Sequence, residues 1–365
     1  MGATMFHWGL HPWAIYAVVG LSLSFFAYSK KLPLTMRSAF YPILKEKVWG
    51  WPGHVIDLLA VFATIFGLAT SLGLGAQQVS SGLNFLFGID NGVNTQIIII
   101  SAITLFALVS VVKGLEGGVK VLSKFNIILA LGLVLFIILV GPTFNIITGV
   151  GTTLADYASN IIPLSNFVGR EDSDWYHGWT VFYWAWWIAW SPFVGMFIAR
   201  VSKGRTVREF IIAVLLIPTV VTAIWMSTFG LTALDQVIGN VGALAGGITD
   251  KSLSMFQMLE NLPFATITSS VAIFLVIVFF VTSSDSGSLV IDSITAGGKV
   301  DAPTIQRVFW AIIEGLVAIA LLYVGGSEAL NALQAGSITT ALPFTIILLI
   351  MCFSLYKGLK SELDK

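Results

Sequence analysis

Residues 97–112 read Ile-Ile-Ile-Ile-Ser-Ala-Ile-Thr-Leu-Phe-Ala-Leu-Val-Ser-Val-Val, an apolar run without a charged residue, a glycine or a proline. A helix needs about 20 mostly apolar residues to cross a bilayer, and this run approaches that length before Lys113 ends it. Because hydrocarbon offers no hydrogen-bond partners, a segment this apolar satisfies its backbone within itself as a helix. The stretch predicts a membrane-spanning helix and an all-α integral membrane protein.

Similar runs recur along the rest of the chain, so the sequence predicts nine spans in all. Only 10% of the residues are charged and 56% are hydrophobic, whereas a soluble domain has about 25% charged residues. This composition excludes a water-soluble fold. The other eight runs lie at 12–28, 55–75, 125–147, 179–199, 209–230, 264–282, 306–325 and 338–356.

The basic residues predict the orientation. Cytoplasmic loops retain lysine and arginine, and every basic residue except Arg170 and Lys251 falls in alternate connections or in the C-terminal tail. We therefore expect a cell-membrane protein with a cytoplasmic C-terminus. Nine spans then place Met1 outside, yet no export signal precedes the first span. We accordingly expect further helices upstream of Met1, or a truncated product.

Composition also excludes several functions. The formal net charge is zero and there is no long basic run, so the electrostatic footprint of a nucleic-acid-binding protein is absent. A single cysteine, Cys352, rules out an intrachain disulfide and a cysteine-rich metal site. No convincing acid, base or metal cluster occurs, which argues against an enzyme.

The most unusual segment is Trp179–Phe193, which places Trp184, Trp186, Trp187 and Trp190 in the middle of a span. Helical spacing gathers these indoles onto adjoining faces. One interpretation is an aromatic belt at the membrane interface. A belt, however, needs only one or two aromatic residues at each helix end, and these lie two turns or more inside. We favour a ligand site.

Cation–π attraction explains which ligand such a site would take. An indole face attracts a quaternary ammonium group by roughly 2 kcal/mol or more when desolvated. No Asp, Glu, Lys or Arg occurs between Asp174 and Arg200, so this helix supplies no charged counter-ion. The segment predicts a cage of rings for a methylated amine.

A second aromatic cluster, Trp8, Trp13 and Tyr16, lies near the start of the chain. On its own it is equally compatible with an interfacial position. His7 and His11 are spaced like a pair of metal ligands on a helix, but no third ligand is evident. No metal site other than one for sodium is expected.

A third cluster, Phe279–Ser288, is rich in hydroxyl groups and lies at the predicted cytoplasmic end of a span. Oxygen ligands of this kind suit a small cation where a helix end leaves carbonyls unpaired. Serine and threonine are also common packing residues in membrane helices, and composition alone leaves both interpretations open.

Together these segments resemble the betaine/carnitine/choline transporter family over nearly the whole chain. The tryptophan segment followed by Gly204–Phe210 is the most specific match. The matching motifs are His7–Tyr16, Gly67–Gln77, Lys113–Lys120 with Leu122–Asn126, Phe182–Arg200 with Gly204–Phe210, and Thr282–Asp285.

The resemblance implies a leucine-transporter-type fold of two inverted repeats with a substrate site near the membrane midplane. Residues 1–147 would then be the remainder of the first repeat, with four spans and its first helix missing, because the match begins at the family's fourth span. Residues 148–168 would form an amphipathic surface helix, 169–356 the five-span second repeat, and 357–365 a short cytoplasmic tail. The family also implies a homotrimer in membrane lipid.

The resemblance also assigns roles to residues. Trp8, Trp13, Tyr16 and Trp187 match a central aromatic box for the substrate, and Trp184, Trp186 and Trp190 match the inner path or gate.

Two groups of residues match sodium sites. Thr282, Ser283 and Phe279 match one of them. Thr64 and Phe193 match the other, although Leu68 stands where a second hydroxyl is expected.

We therefore expect sodium-coupled uptake of a quaternary-ammonium solute, glycine betaine first. Sodium-independent family members place a basic residue at the cation position, and no Lys or Arg occurs between Lys47 and Lys113. The alternatives are a proton-coupled choline transporter and a non-transporting fragment.

Overall fold

The computed structural model describes residues 1–113, 116–299 and 303–364, and all regular structure in these ranges is helical. Gly114 and Leu115 of the Lys113–Lys120 motif, and Lys365 of the tail, lie outside the described residues. The α-helices are α1 Gly2–Trp8, α2 Leu10–Ser24, α3 Tyr41–Leu44, α4 Trp51–Phe87, α5 Val93–Lys113, α6 Glu116–Val140, α7 Thr143–Ser165, α8 Ser173–Trp175, α9 Phe182–Val201, α10 Val207–Ile238, α11 Ser254–Glu260, α12 Ala265–Thr295, α13 Thr304–Gly325 and α14 Ala329–Leu363.

Short segments of other helix types complete the chain. Phe25–Ser29 and Tyr176–Val181 are π-helical turns that continue α2 and precede α9. The 3₁₀ turns are Met36–Phe40, Lys45–Trp49, Ala243–Gly246 and Gly326–Glu328.

Nine helical segments in the described ranges are long and apolar enough to cross a membrane, which confirms the predicted number. The chain is a multi-pass membrane protein. Several helices extend well beyond their apolar runs. Their backbone hydrogen bonding continues into the polar residues that follow each run. The span predicted at 264–282 is part of α12, which reaches Thr295, and the one predicted at 55–75 is part of α4, which has 37 residues.

The first span is interrupted at Gly9, between α1 and α2. Pro12 lies four residues after Trp8, and a proline ring clashes with the carbonyl four positions before it in a continuous helix. Gly9 leaves the helical conformation there, with φ −93° and ψ −138°, while its N–H donates to Met5 O. Sequence analysis placed the span after this proline and missed the turns before it.

The span predicted at 125–147 ends earlier, at Val140, and α7 begins at Thr143. Gly141 and Pro142 separate the two helices. On α7, Gly149, Thr153 and Tyr157 are buried at helical spacing. Large apolar side chains are exposed elsewhere on the same helix, namely Phe144, Ile147 and Ile162, so α7 has one face packed against protein and apolar residues directed away from it.

The chain forms two compact units. The first contains 1–9, 72–171 and 218–283, and the second contains 10–71, 172–217 and 284–365. Each unit combines segments from both predicted repeats, and the assignment of 1–147 and 169–356 as inverted repeats stays a prediction.

Glycines set the close contacts within the first unit. A Cβ on Gly82 would lie 2.4 Å from Phe256, and one on Gly149 would lie 2.0 Å from Leu231. These contacts bring α4 against α11 and α7 against α10. Small residues at helix interfaces allow such backbone approach in membrane proteins, where van der Waals packing drives association.

In the second unit, α2 and α9 approach each other at Gly20 and Gly195. A Cβ on Gly195 would lie 2.5 Å from Val19 Cγ1 and 3.1 Å from the Gly20 backbone nitrogen. A Cβ on Gly20 would lie 3.2 Å from Gly195 O. This contact fixes the two helices that carry most of the aromatic residues described below.

Replacing Gly195 with alanine should destabilise the protein by about 1–3 kcal/mol, because the new methyl group overlaps Val19 and the α2 backbone. Gly132→Ala is the matched control, since it lies inside α6 and a Cβ there meets nothing within 4 Å. That control should be neutral or stabilising by up to about 1 kcal/mol. Thermal unfolding of the detergent-solubilised protein measures both, and equal stabilities would contradict the close approach.

Candidate functional site

Three aromatic rings meet in the second unit, where α2 and α9 lie side by side. Tyr16 and Trp187 have ring centroids 4.9 Å apart. Trp13 lies 5.4 Å from Tyr16 and 6.1 Å from Trp187 by the same measure. All three contacts are tilted or edge-on, which is the geometry aromatic pairs prefer. The structure thus brings together three of the four residues predicted for the central box.

The local sequence explains why these rings meet. Tyr16 precedes Gly20 by one turn of α2, and Trp187 precedes Gly195 by about two turns of α9. Since the helices touch at the two glycines and run in the same direction, rings placed before the contact on each helix face one another. Tyr16 is 3% exposed and Trp187 is 9% exposed.

Trp13 adds a polar feature to this ring cluster. Its indole Nε1 is buried and has no hydrogen-bond acceptor among the described residues. Buried donors are normally paired, so an N–H left without a protein acceptor marks a position where a ligand oxygen would be favourable.

Trp8, the fourth predicted box residue, belongs to the first unit. It is half-buried and ends α1, directly before the break at Gly9. Its role in the box stays a prediction.

The other tryptophans of α9 form a second aromatic row. Trp186 stacks on Phe182 at 5.4 Å, with ring planes 17° apart, and lies edge-on to Trp190 at 6.5 Å. Trp190 contacts Phe193 at 5.5 Å. Trp184 points differently and packs edge-on against His11 at 5.7 Å.

This second row packs against α4 in an antiparallel register. The indole Nε1–H of Trp186 donates to Ser71 Oγ at 2.9 Å. One turn earlier on α4, a Cβ on Gly67 would lie 2.7 Å from Cδ1 of Trp190, which is one turn later on α9. The interface therefore pairs successive turns of the two helices.

One more turn in this register brings position 64 of α4 to the level of position 193 of α9. These are Thr64 and Phe193, the pair predicted for one sodium site. Thr64 is fully buried, and its hydroxyl donates to Ala60 O at 2.8 Å. A hydroxyl that donates within its helix keeps its oxygen lone pairs available.

The residues predicted for the other sodium site lie on α12 in the first unit. They were expected at a helix end, and the structure corrects this, because α12 continues without interruption to Thr295. Thr282 Oγ1 donates to Val278 O at 3.0 Å and to Phe279 O at 2.9 Å. The oxygens available here are the hydroxyls of Thr282 and Ser283 and the carbonyl of Phe279, which already accepts a hydrogen bond from Thr282. Ser283 is half-buried beside them, and the Phe279 ring is exposed.

Neither histidine of the opening cluster joins a metal-binding group. His7 is buried in α1 of the first unit, and His11 packs on Trp184 in the second. In the part of the chain that the structure describes, no three His, Cys, Asp or Glu side chains are placed to hold a metal ion.

Ser71 and Gly67, the partners of the second aromatic row, were not predicted as site residues. Both belong to the Gly67–Gln77 motif quoted above. Only their spacing offered a signal, since a small residue and a hydroxyl one turn apart provide space and an acceptor for large indoles.

Comparison with known proteins gives a consistent result. A profile described as "BCCT, betaine/carnitine/choline family transporter" matches residues 1–364. The chain is 64% identical to glycine betaine transporter 1 of Vibrio parahaemolyticus, over 99% of the chain and 69% of that protein. A glycine betaine/proline/choline/ectoine transporter of the same organism is 62% identical over 100% of the chain and 65% of its own length.

A more distant relative shows a similar extent of match. The glycine betaine transporter OpuD of Bacillus subtilis is 44% identical over 98% of the chain and 70% of its own length. The chain thus spans about two thirds of the length of these relatives.

A pair of substitutions tests the second aromatic row. Trp186→Phe removes an N–H that donates to Ser71, whereas Trp190→Phe removes a buried N–H with no acceptor among the described residues. Trp186→Phe should therefore be the more destabilising of the two, by about 0.5–1.5 kcal/mol. Thermal unfolding measures the difference in stability between the two variants. This difference should shrink when both substitutions are made in a Ser71→Ala background. A difference that persists there would show that the hydrogen bond is not its cause.

Proposed function

This chain belongs to the betaine/carnitine/choline transporter family, and we propose that it serves secondary active uptake of a quaternary-ammonium compatible solute, with glycine betaine the first candidate. The observation that carries the proposal is the cluster of Trp13, Tyr16 and Trp187, whose ring centroids lie 4.9–6.1 Å apart in a buried site between two helices.

The chemistry of the ligand follows from the chemistry of the rings. A trimethylammonium group has no N–H to donate and carries its charge on methyl groups, so the faces of several rings are suitable neighbours. Burial strengthens the attraction because it removes competing water. No bond is made or broken in such a site, and transport requires only that the site open alternately to the two sides of the membrane.

Glycine betaine fits better than a simple cation because it is a zwitterion. The buried Nε1–H of Trp13 lacks a protein acceptor, and a carboxylate oxygen is a strong acceptor. The relatives named above are called transporters of glycine betaine, and one name also includes proline, choline and ectoine. These names support the solute class and leave choline as the second candidate.

We propose sodium as the coupling ion. The hydroxyls of Thr64 and Thr282 retain lone pairs, and the register of α4 with α9 brings Thr64 and Phe193 to one level. Residues 48–112 contain no lysine or arginine that could replace the cation. Proton-coupled choline uptake is the alternative.

Trimer formation and a cytoplasmic C-terminus stay predictions. The exposed apolar side chains of α7 are compatible with lipid or with neighbouring copies, and the distribution of basic residues supports the orientation.

Binding and uptake of glycine betaine test the proposal. The chain should bind glycine betaine in calorimetry, and cells expressing the reading frame that encodes it should accumulate the solute. The carbon isostere 3,3-dimethylbutanoate keeps the shape and lacks the positive charge, so it should bind about 30-fold more weakly, which corresponds to about 2 kcal/mol of cation–π attraction.

Variants connect this result to the rings. Trp187→Ala should weaken betaine binding about tenfold or more, and Trp187→Phe should retain part of it because a smaller ring face remains. Trp51→Ala is the control. The Trp51 indole is 76% exposed, so this variant should bind betaine as tightly as the unaltered protein. Equal binding of betaine and its isostere would contradict the cage, and absence of accumulation with intact binding would contradict transport.

Thr282→Val tests sodium coupling, because it removes a hydroxyl oxygen and keeps the shape. The matched control is Thr268→Val on the same helix, whose hydroxyl also donates to carbonyls three and four residues earlier. Thr282→Val should raise the sodium concentration for half-maximal uptake about tenfold, an effect of about 1.4 kcal/mol, while the control leaves it unchanged. Sodium-independent uptake by the unaltered protein would refute the coupling.

A further inference from the structure

A buried carboxyl group lies in the middle of the membrane-spanning helix α13. Glu314 is the central residue of α13, Thr304–Gly325, and is 1% exposed. It is the only acidic residue in that helix. Ionisable side chains inside membrane spans are rare because an unpaired charge is costly there, and those that occur are paired, neutralised or functional.

The two oxygens of this carboxyl have different surroundings. Oε2 accepts a hydrogen bond from Ser284 Oγ of α12 at 3.1 Å. Oε1 is buried and has no hydrogen-bond partner among the described residues. It faces Gly287, one turn after Ser284, where a Cβ would lie 3.3 Å from Oε1 and 2.3 Å from Leu68. The site thus provides one donor for one oxygen and none for the other.

The charged groups on neighbouring helices do not neutralise Glu314. Asp285 of α12 is itself acidic and cannot act as its counter-charge. Arg307, two turns earlier on α13, interacts with Asp292. Helix α14 has no Asp, Glu, Lys, Arg or His between Ala329 and Tyr356.

The charged groups of α4 lie near the start of the helix and interact with each other or with Arg37. Asp57 pairs with Arg37 at 2.5 Å and interacts with His54, and no other charged residue occurs in α4. No cationic side chain among the described residues forms an ion pair with Glu314.

An ionised carboxylate in this position would be a buried charge with no cationic partner among the described residues, which is costly. We propose that Glu314 is a proton-binding site, in which the carboxyl is held neutral by a proton on Oε1 while Oε2 accepts from Ser284. This assignment removes the charge, so the carboxyl needs no counter-charge.

A proton suits this site better than a metal cation. A cation such as sodium needs several oxygens around it, whereas the one hydrogen-bond partner that the structure gives this carboxyl is the Ser284 hydroxyl. A proton needs only the one lone pair that is available.

Infrared spectroscopy of the whole protein in lipid nanodiscs tests the assignment, because a protonated carboxylic acid has a carbonyl stretch that a carboxylate lacks. Labelling with ¹³C-glutamate separates this band from those of the buried aspartates. At neutral pH the unaltered protein should show a glutamic-acid band that disappears in Glu314→Gln. Glu260→Gln is the matched control, since Glu260 is exposed, and it should leave the band in place.

Ser284→Ala provides a second variant that keeps the carboxyl. Loss of the hydrogen bond to Oε2 should shift the band to higher frequency and leave its intensity unchanged. Absence of the band at neutral pH, or its persistence in Glu314→Gln, would overturn the proposal. A band that does not move in Ser284→Ala would overturn the geometry of the site. Neither result depends on uptake, so failure here is separate from failure of the proposed transport function.

Discussion

The absence of hydrogen-bond partners and of counter-charge in hydrocarbon is the constraint on which the rest of this structure depends. It requires the nine apolar segments found in the described part of the chain to be helical, and it limits how a charged group can be accommodated between them. The structure shows two arrangements compatible with that limit. Three rings, of Trp13, Tyr16 and Trp187, contact one another at the position proposed for a cation. The carboxyl of Glu314 lies where only one of its oxygens has a donor.

Within that constraint, glycines determine which helices can carry a shared site. Membrane helices gain little from hydrophobic association, so close backbone approach supplies the attraction. Gly20 and Gly195 bring α2 and α9 together, and Gly67 lets Trp190 lie against α4. The aromatic cluster is therefore a consequence of small residues a turn or two away. A sequence with the same tryptophans and larger residues at these glycines would separate the rings.

The sequence predicted the spans and the aromatic residues well because both depend on local composition. Helix ends were predicted less well, since α12 continues through a hydroxyl-rich segment to Thr295 and apolar content gives no signal for that. The break at Gly9 and the shortened fourth span follow from Pro12 and Pro142, which were visible in the sequence. Pairings such as Trp186 with Ser71 depend on the packing of distant segments, so no local pattern could reveal them.

Selectivity follows from the same physics. A primary ammonium group has three N–H donors that lose water on entering a cage of rings, and ring faces are poor replacements for those hydrogen bonds, so its binding carries the desolvation cost of unpaired donors. A trimethylammonium group has no such donors to leave unpaired. A carboxylate counter-ion would attract both cations and would be an unpaired buried charge in the empty site. In the proposed cage, uncharged rings would avoid that cost and disfavour the primary amine, whereas an acidic residue on α2 or α9 would bind more strongly and less selectively.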